Sequence, residues 1–143
     1  MIEVVAGVII REGRILLTQR RADKDFPYCW ESPGGKVEGL HESHHTALAR
    51  ELREELGVGV REAAPNGELD IGQQPLWCGK FENKVQREDR AVVFVLLYRV
   101  TIIGDPRPLE GQGMGWFTAS EMQHLAMAPA NEAARSVILR RLG

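Results

Sequence analysis

The sequence predicts an α+β fold in which a mixed β-sheet carries helices on both sides. Three observations point there. Runs rich in β-branched residues recur along the chain, at residues 4–10 and 91–103 among others. Leu48, Leu52 and Leu56 recur every four residues, which is helical spacing. A second stripe, Ala134, Val137, Ile138 and Leu142, lies near the C-terminus. The order is mixed strands with two or three helices, an α+β pattern with a helix on each side of a mixed sheet.

Residues 4–10 read as a strand, Glu12-Gly13 as a turn and residues 14–20 as a returning strand, together a hairpin. Residues 22–27 are polar and read as a loop. Residues 28–32 form a short strand before the breaker Pro33-Gly34-Gly35. The helix that follows has Ser43 as N-cap, and Gly57 is placed to end it in a left-handed conformation. Residues 62–74 hold Pro65, Asn66 and two glycines, which predicts a loop. Residues 76–81 and 91–103 read as strands joined by a polar hairpin loop over 82–90. Residues 104–108 form a turn and 115–117 a short strand. Thr118 or Ser120 can cap a short helix through Leu125, and residues 129–142 form the last helix.

A length of 143 residues fits one domain spanning 1–143. Such a chain buries roughly two-thirds of its unfolded surface, so it needs no metal or disulfide merely to fold. Eighteen basic against twenty acidic residues give a net charge of −2. That argues against a dedicated nucleic-acid or anionic-membrane binder, yet leaves room for a small anionic ligand held by a few local cations. Cys29 and Cys78 can form at most one bridge, and reduced thiols in the cytoplasm are the expectation. The N-terminus has no basic stretch of the signal-peptide kind, and the apolar run 91–98 is too short to span a bilayer.

The chemistry sits on the helix around residues 43–56. At about 100° per residue, Glu51, Glu54 and Glu55 fall within an arc of roughly 100°, beside the buried leucine stripe. Arg50 and Arg53 are expected to point away. Like charges at these spacings each destabilise a helix by about 0.2–0.5 kcal/mol. The C-terminal end of the helix dipole disfavours them further. A bound cation would resolve the conflict, and an all-oxygen donor set points to Mg²⁺ or Mn²⁺ over zinc. For a bare glutamate triplet, a solvated face paired with Arg50 or Arg53 is the competing reading.

The surrounding pattern decides between them. Glu42, Arg50, Glu51, Leu52, Glu54, Glu55, Gly57 and Val58 stand at the spacing of the Nudix box, and the segment 34–58 closely resembles it. Six residues separate Gly35 from Glu42 where the family has five, because Gly39-Leu40-His41 replaces a two-residue turn. GVIIREGRILLTQRRAD, WESPGGK, EGQGMGWF and PANEAARSVILRRL are similar to the MutT-type branch. The likeness covers most of the chain and is poorest over residues 61–83.

The resemblance implies a Nudix fold, an α/β/α sandwich with the Nudix loop–helix. It implies metal-dependent hydrolysis of a phosphoanhydride bond in a nucleoside triphosphate, oxidised or non-standard ones included, to NMP and pyrophosphate. It assigns Gly34 (through its carbonyl), Glu51, Glu54, Glu55 and Glu110 to metal, with Glu51 either ligand or general base. Glu51, Glu54, Glu110 and Lys36 become the catalytic set. Arg21, Lys36 and Asn131 become substrate contacts, Asn131 reading a purine base. Gly35, Glu42, Arg50 and Gly57 become the structural frame of the box, Glu42 and Arg50 as an ion pair. Mg²⁺ is the expected cofactor, with Mn²⁺ able to substitute. The expected partner is a small-molecule nucleotide, and monomer and homodimer both stay open.

Weaker signals have plainer readings. His44 and His45 stand in the first helical turn without ligand-spaced partners, so solvated surface roles are expected. Trp30, Trp77 and Trp116 can stack a base, but core roles are expected. Asn131 can also be a helix cap. Either Arg20 or Arg21 can reach phosphate or form a surface ion pair. Two other functions compete with triphosphate hydrolysis. One is hydrolysis of an NDP-sugar, dinucleotide or RNA 5′-end within the same fold. The other is a ligand sensor without turnover, which intact helix glutamates argue against. A substrate panel separates the first, and metal-dependent phosphate release the second.

Overall fold

The computed structural model describes residues 2–39, 41–61, 74–82 and 92–142. Strand β1 (Ile2–Val8) pairs parallel with β8 (Val92–Arg99) and antiparallel with β5 (Gly34–Lys36). β8 pairs antiparallel with β7 (Trp77–Glu82), which completes a mixed four-stranded sheet. A second sheet joins β2 (Ile10–Arg11), β3 (Arg14–Gln19) and β10 (Gly113–Phe117), with β4 (Trp30–Glu31) also on β3. Two short strands, β6 (Gly59–Val60) and β9 (Ile102–Ile103), pair with each other.

Helix α1 is His44–Leu56, α2 is Ala119–Met122 and α3 is Pro129–Leu142. Strand side chains alternate between two faces, and this splits the core. Val5, Leu16 and Leu96 pack with Ala47, Leu48, Leu52 and Leu56 of α1. Their neighbours Ala6, Leu17 and Leu97 pack with Met122 of α2 and with Ala134 and Ile138 of α3. The result is the expected mixed-sheet α/β/α arrangement.

Several element boundaries differ from the sequence expectation. The strand expected over 4–10 is two strands in two sheets. The Val8 carbonyl accepts from Val100 N, while the Ile9 carbonyl accepts from Leu16 N, so the chain changes partners between adjacent residues. The hairpin is therefore β2–β3, and β1 is not part of it. Gly34-Gly35, expected as part of a breaker, lies in β5, where an added Cβ at Gly34 would stand 2.0 Å from the Val5 carbonyl oxygen. Only glycine lets the two backbones approach so closely. The strand expected over 91–103 breaks after Arg99, where β9 leaves to meet β6. Helix α2 stops at Met122, short of Leu125, after a complete Thr118–Glu121 capping box. The loops expected over 62–74 and 82–90 lie, apart from residues 74 and 82, outside the described residues.

Trp30, Trp77 and Trp116 all pack against the core, as expected. His44 does not simply face solvent. Its Nδ1 meets the Tyr98 hydroxyl at 2.9 Å and its Nε2 meets Glu3, tying the start of α1 to β1 and β8. Both thiols are free, Cys29 half-buried and Cys78 exposed.

Candidate active site

Helix α1 begins where the Ser43 side chain accepts the Thr46 amide and ends where Gly57 turns left-handed at φ 68°. Its last carbonyls do not face water. Leu109 N and Gln112 Nε2 donate to the Glu55 carbonyl at 3.0 and 3.1 Å, and Arg107 N donates to that of Leu56 at 2.9 Å. Gln112 Oε1 in turn accepts the Glu110 amide at 2.8 Å. Capping the helix with this loop satisfies orphan carbonyls and delivers Glu110 beside the helix acids.

Arg50 does not point away from those acids. Its Nε and Nη2 grip both oxygens of Glu42 at 2.9 Å, and its Nη1 donates to Glu51 at 2.9 Å. Nη1 also lies 3.5 Å from Glu54, and Nη2 donates to the Lys36 carbonyl at 3.0 Å. The side chain is long enough to bend back across its own face, which spacing alone does not reveal. Part of the acidic repulsion is thus relieved by Arg50, and Arg53 remains exposed. The Glu42–Arg50 pair forms despite the extra residue in the preceding loop. The Glu38 amide donates to Glu42 at 2.8 Å and closes that loop.

A polar cavity of about 380 Å³ lies above the helix, lined among others by Arg20, Arg21, Gly34, Gly35, Lys36, Glu55 and Glu110. Glu51 sits directly under Gly35, whose added Cβ would stand 2.3 Å from the Glu51 carboxyl carbon. Arg21 donates to the Glu110 carbonyl at 3.0 Å and pairs with Asp23, so it also braces the Glu110 loop. Glu54 is the most exposed of the helix acids, with 57% of its side chain accessible.

The electrostatics follow from this crowding. Burial, then the charges of Glu51, Glu110 and Glu31, push Glu55 up to about 8, against the Gly34 amide. Burial also raises Glu51, opposed by Arg50 and reinforced by Glu54 and Glu110. Hydrogen bonds from Arg50, then the Glu38 amide, bring Glu42 down to about 2. Among the described residues, Glu55 and Glu110 make no ion pair.

The donor set fits a hard divalent cation. It consists of oxygens alone, and burial, reinforced by neighbouring acids, raises the proton affinity of two of its carboxylates, Glu51 and Glu55, a penalty that a bound cation would offset. Among the described residues, no three acidic, histidine or cysteine side chains already stand at metal-holding distance. Arg50 engages Glu51 and Glu54, and a cation has to compete with it.

Asn131 stands apart from these acids. It is 3% exposed and lines an apolar cavity of about 410 Å³ with Phe26, Phe81, Val93 and Val95. Its Oδ1 accepts the Ser32 amide at 3.1 Å, and its Nδ2 donates to the Ser32 hydroxyl at 2.9 Å. Ser32 and Glu31 are not singled out by sequence reasoning. The WESPGGK segment holds both, but nothing local marks them as cavity-lining. Arg20 donates to both oxygens of Glu31, at 3.1 and 3.3 Å, and to the Asp25 carbonyl.

The chain as a whole is similar to known proteins. The family model described as NUDIX domain matches residues 1–140. A putative 8-oxo-dGTP diphosphatase 2 of Mycobacterium tuberculosis is 32% identical over 140 residues, covering 97% of this chain and 89% of that protein. A CTP pyrophosphohydrolase of Escherichia coli is 60% identical over 58 residues, a segment that spans 41% of this chain and 42% of that protein. A solved structure from a study of MutT from Aliivibrio salmonicida and Vibrio cholerae superposes with a TM-score of 0.72, at 28% identity and 98% coverage of both chains. No helix among the described residues is long and apolar enough to cross a membrane.

Proposed function

The chain belongs to the Nudix family, in its MutT-type branch, and from that premise we propose that it hydrolyses a nucleoside triphosphate, oxidised or non-standard ones included, to the monophosphate and pyrophosphate. The observation that carries this reading is the adjoining pair of cavities. One is apolar and ends on a buried amide that suits a base. The other is lined by carboxylates, Lys36 and two arginines, which suits a polyphosphate with its counter-ion. The relatives named as acting on 8-oxo-dGTP and CTP support the same substrate class.

Glu51, Glu54, Glu55, Glu110 and the Gly34 carbonyl are the groups that would hold Mg²⁺, with Mn²⁺ able to replace it. When bound, such an ion neutralises phosphate charge and lowers the pKa of water. Lys36 meets the remaining phosphate charge. Arg50 holds the Glu51 carboxylate in place, and burial raises its proton affinity. Glu51 is the group we assign to take the proton from the attacking water. A bond forms from the water oxygen to one phosphorus as the phosphoanhydride bond at that phosphorus breaks, and pyrophosphate leaves. Asn131 anchors the base so that this phosphorus stays positioned.

The test is pyrophosphate release with Mg²⁺ from a nucleotide panel, for the wild type and for Glu54→Gln and Glu55→Gln singly. Each variant should lose at least a hundredfold in kcat while staying folded. Near-wild-type turnover in both would overturn the assignment.

A further inference from the structure

Arg20 and Glu31 are common to the linings of both cavities, so a nucleotide whose phosphates fill the polar one has its base within reach of the apolar one. Phe26 lines that apolar cavity, yet it remains 50% exposed. Its backbone stands at φ 51°, a left-handed conformation that is rare for a bulky side chain and further disfavoured by the Pro27 that follows. Building on the proposed function, we propose that Phe26 stacks on the face of the nucleotide base, as an aromatic wall of the cavity that also holds Asn131.

The loop that carries Phe26 is tied down on both sides of it. Arg20 donates to the carbonyl of Asp25, the residue before Phe26. The Phe26 carbonyl accepts the Cys29 amide at 3.2 Å. Tyr28 N donates to the Arg20 carbonyl and Arg20 N to the Cys29 carbonyl, each at 2.9 Å. Gln19 Nε2 donates to the Tyr28 carbonyl at 3.1 Å. An outlying backbone angle persists only where its surroundings over-determine it, and such residues cluster at ligand clamps. None of these bonds uses the Phe26 side chain, so the ring is held at the cavity without being needed for the hold. A ring fixed before the ligand arrives loses little freedom on binding. Every base has a π-face, so an aromatic wall adds affinity for purines and pyrimidines alike.

Phe26 has one competing role, as a hydrophobic pin for its own loop. The two roles separate in Phe26→Gly. Glycine adopts φ 51° freely, so the variant relieves the backbone while it removes the ring. Loss of a pin lowers thermal stability. Loss of a stacking wall lowers affinity for the base and leaves stability alone.

The experiment titrates the full chain, in Mg²⁺, with α,β-methylene analogues of the four common nucleoside triphosphates, which bind without being cleaved, and with inorganic pyrophosphate. Phe26→Gly should raise Kd for all four analogues by about tenfold and for pyrophosphate by less than about twofold, with no fall in Tm. Phe26→Tyr should keep Kd within about threefold of wild type. Phe26→Leu keeps an apolar side chain without a π-face, and it should weaken the analogues nearly as much as glycine does. Unchanged Kd for the analogues in Phe26→Gly, an equal rise for pyrophosphate, or a lowered Tm would each overturn the assignment. If Phe26→Gly fails to fold, Phe26→Leu decides, and wild-type Kd in that variant refutes stacking. Tight binding of the analogues without cleavage of the parent triphosphates refutes the proposed function and leaves the stacking assignment standing.

Discussion

Replacing Gly35 with alanine should inactivate the enzyme without unfolding it. An ideal Cβ at Gly35 stands 2.3 Å from the Glu51 carboxyl carbon and 2.5 Å from each of its oxygens. Ordinary contact begins at 3.4 Å, so one side must yield by about 1 Å. β5 is paired with β1 and has little freedom, whereas the Glu51 side chain can change rotamer. The carboxylate therefore moves and gives up its 2.9 Å bond from Arg50. Arg50 keeps both bonds to Glu42, so the stability cost is about 1–2 kcal/mol, or roughly 3–6 °C in Tm. Displacing a catalytic group by about 1 Å costs on the order of a hundredfold in turnover. The neighbouring Gly34→Ala is the contrast. Its Cβ meets backbone, 2.0 Å from the Val5 oxygen and 2.5 Å from Ala6 Cα, with no rotamer to absorb the clash. That variant should fold poorly. Pyrophosphate release and thermal melting are measured for both. Gly35→Ala with kcat/KM within threefold of wild type would show that Glu51 is not positioned as described.

Two further outcomes concern the frame around the site. Glu42 is held down to about 2 by Arg50 and the Glu38 amide, below its ordinary 4.5. A carboxyl depressed on folding stabilises fully above its unfolded pKa, and that contribution fades as pH falls from about 4.5 toward 2. Its side-chain carbon should titrate near 2 by NMR, and Glu42→Gln should flatten the stability curve across that window; a midpoint at 4 or above contradicts the pairing. Gly57→Ala places a side chain at φ 68° with its Cβ 3.2 Å from Leu109 Cδ1. Left-handed backbone costs a non-glycine residue about 1–2 kcal/mol, so denaturant titration should show a loss of that size, and an unchanged midpoint would argue against the left-handed cap.

Helix α1 is legible in the sequence because its signals are local. Leu48, Leu52 and Leu56 state the period, Ser43 caps one end and Gly57 the other, and the box spacing places Glu51, Glu54 and Glu55 on one arc. Helix α3 is legible for the same reason, with its observed bounds Pro129–Leu142. Strands are less so, since a β-branched run does not say which partner it will take. Residues 4–10 and 91–103 each read as one strand, and each is divided by hydrogen bonds to distant residues.

By itself, then, the sequence determined the family, the acidic helix and the identities of the candidate donors, all of which depend on spacing within a few turns of chain. Tertiary structure alone decided that Arg50 folds back onto the acids, and that the loop capping α1 brings Glu110 beside Glu55. It also decided that Arg20 and Glu31 stand where two cavities meet. Gln112 and Glu55 stand 57 positions apart, and only the fold brings them within hydrogen-bonding distance; Arg50 instead reaches neighbours on its own helix through a side-chain conformation that spacing does not specify.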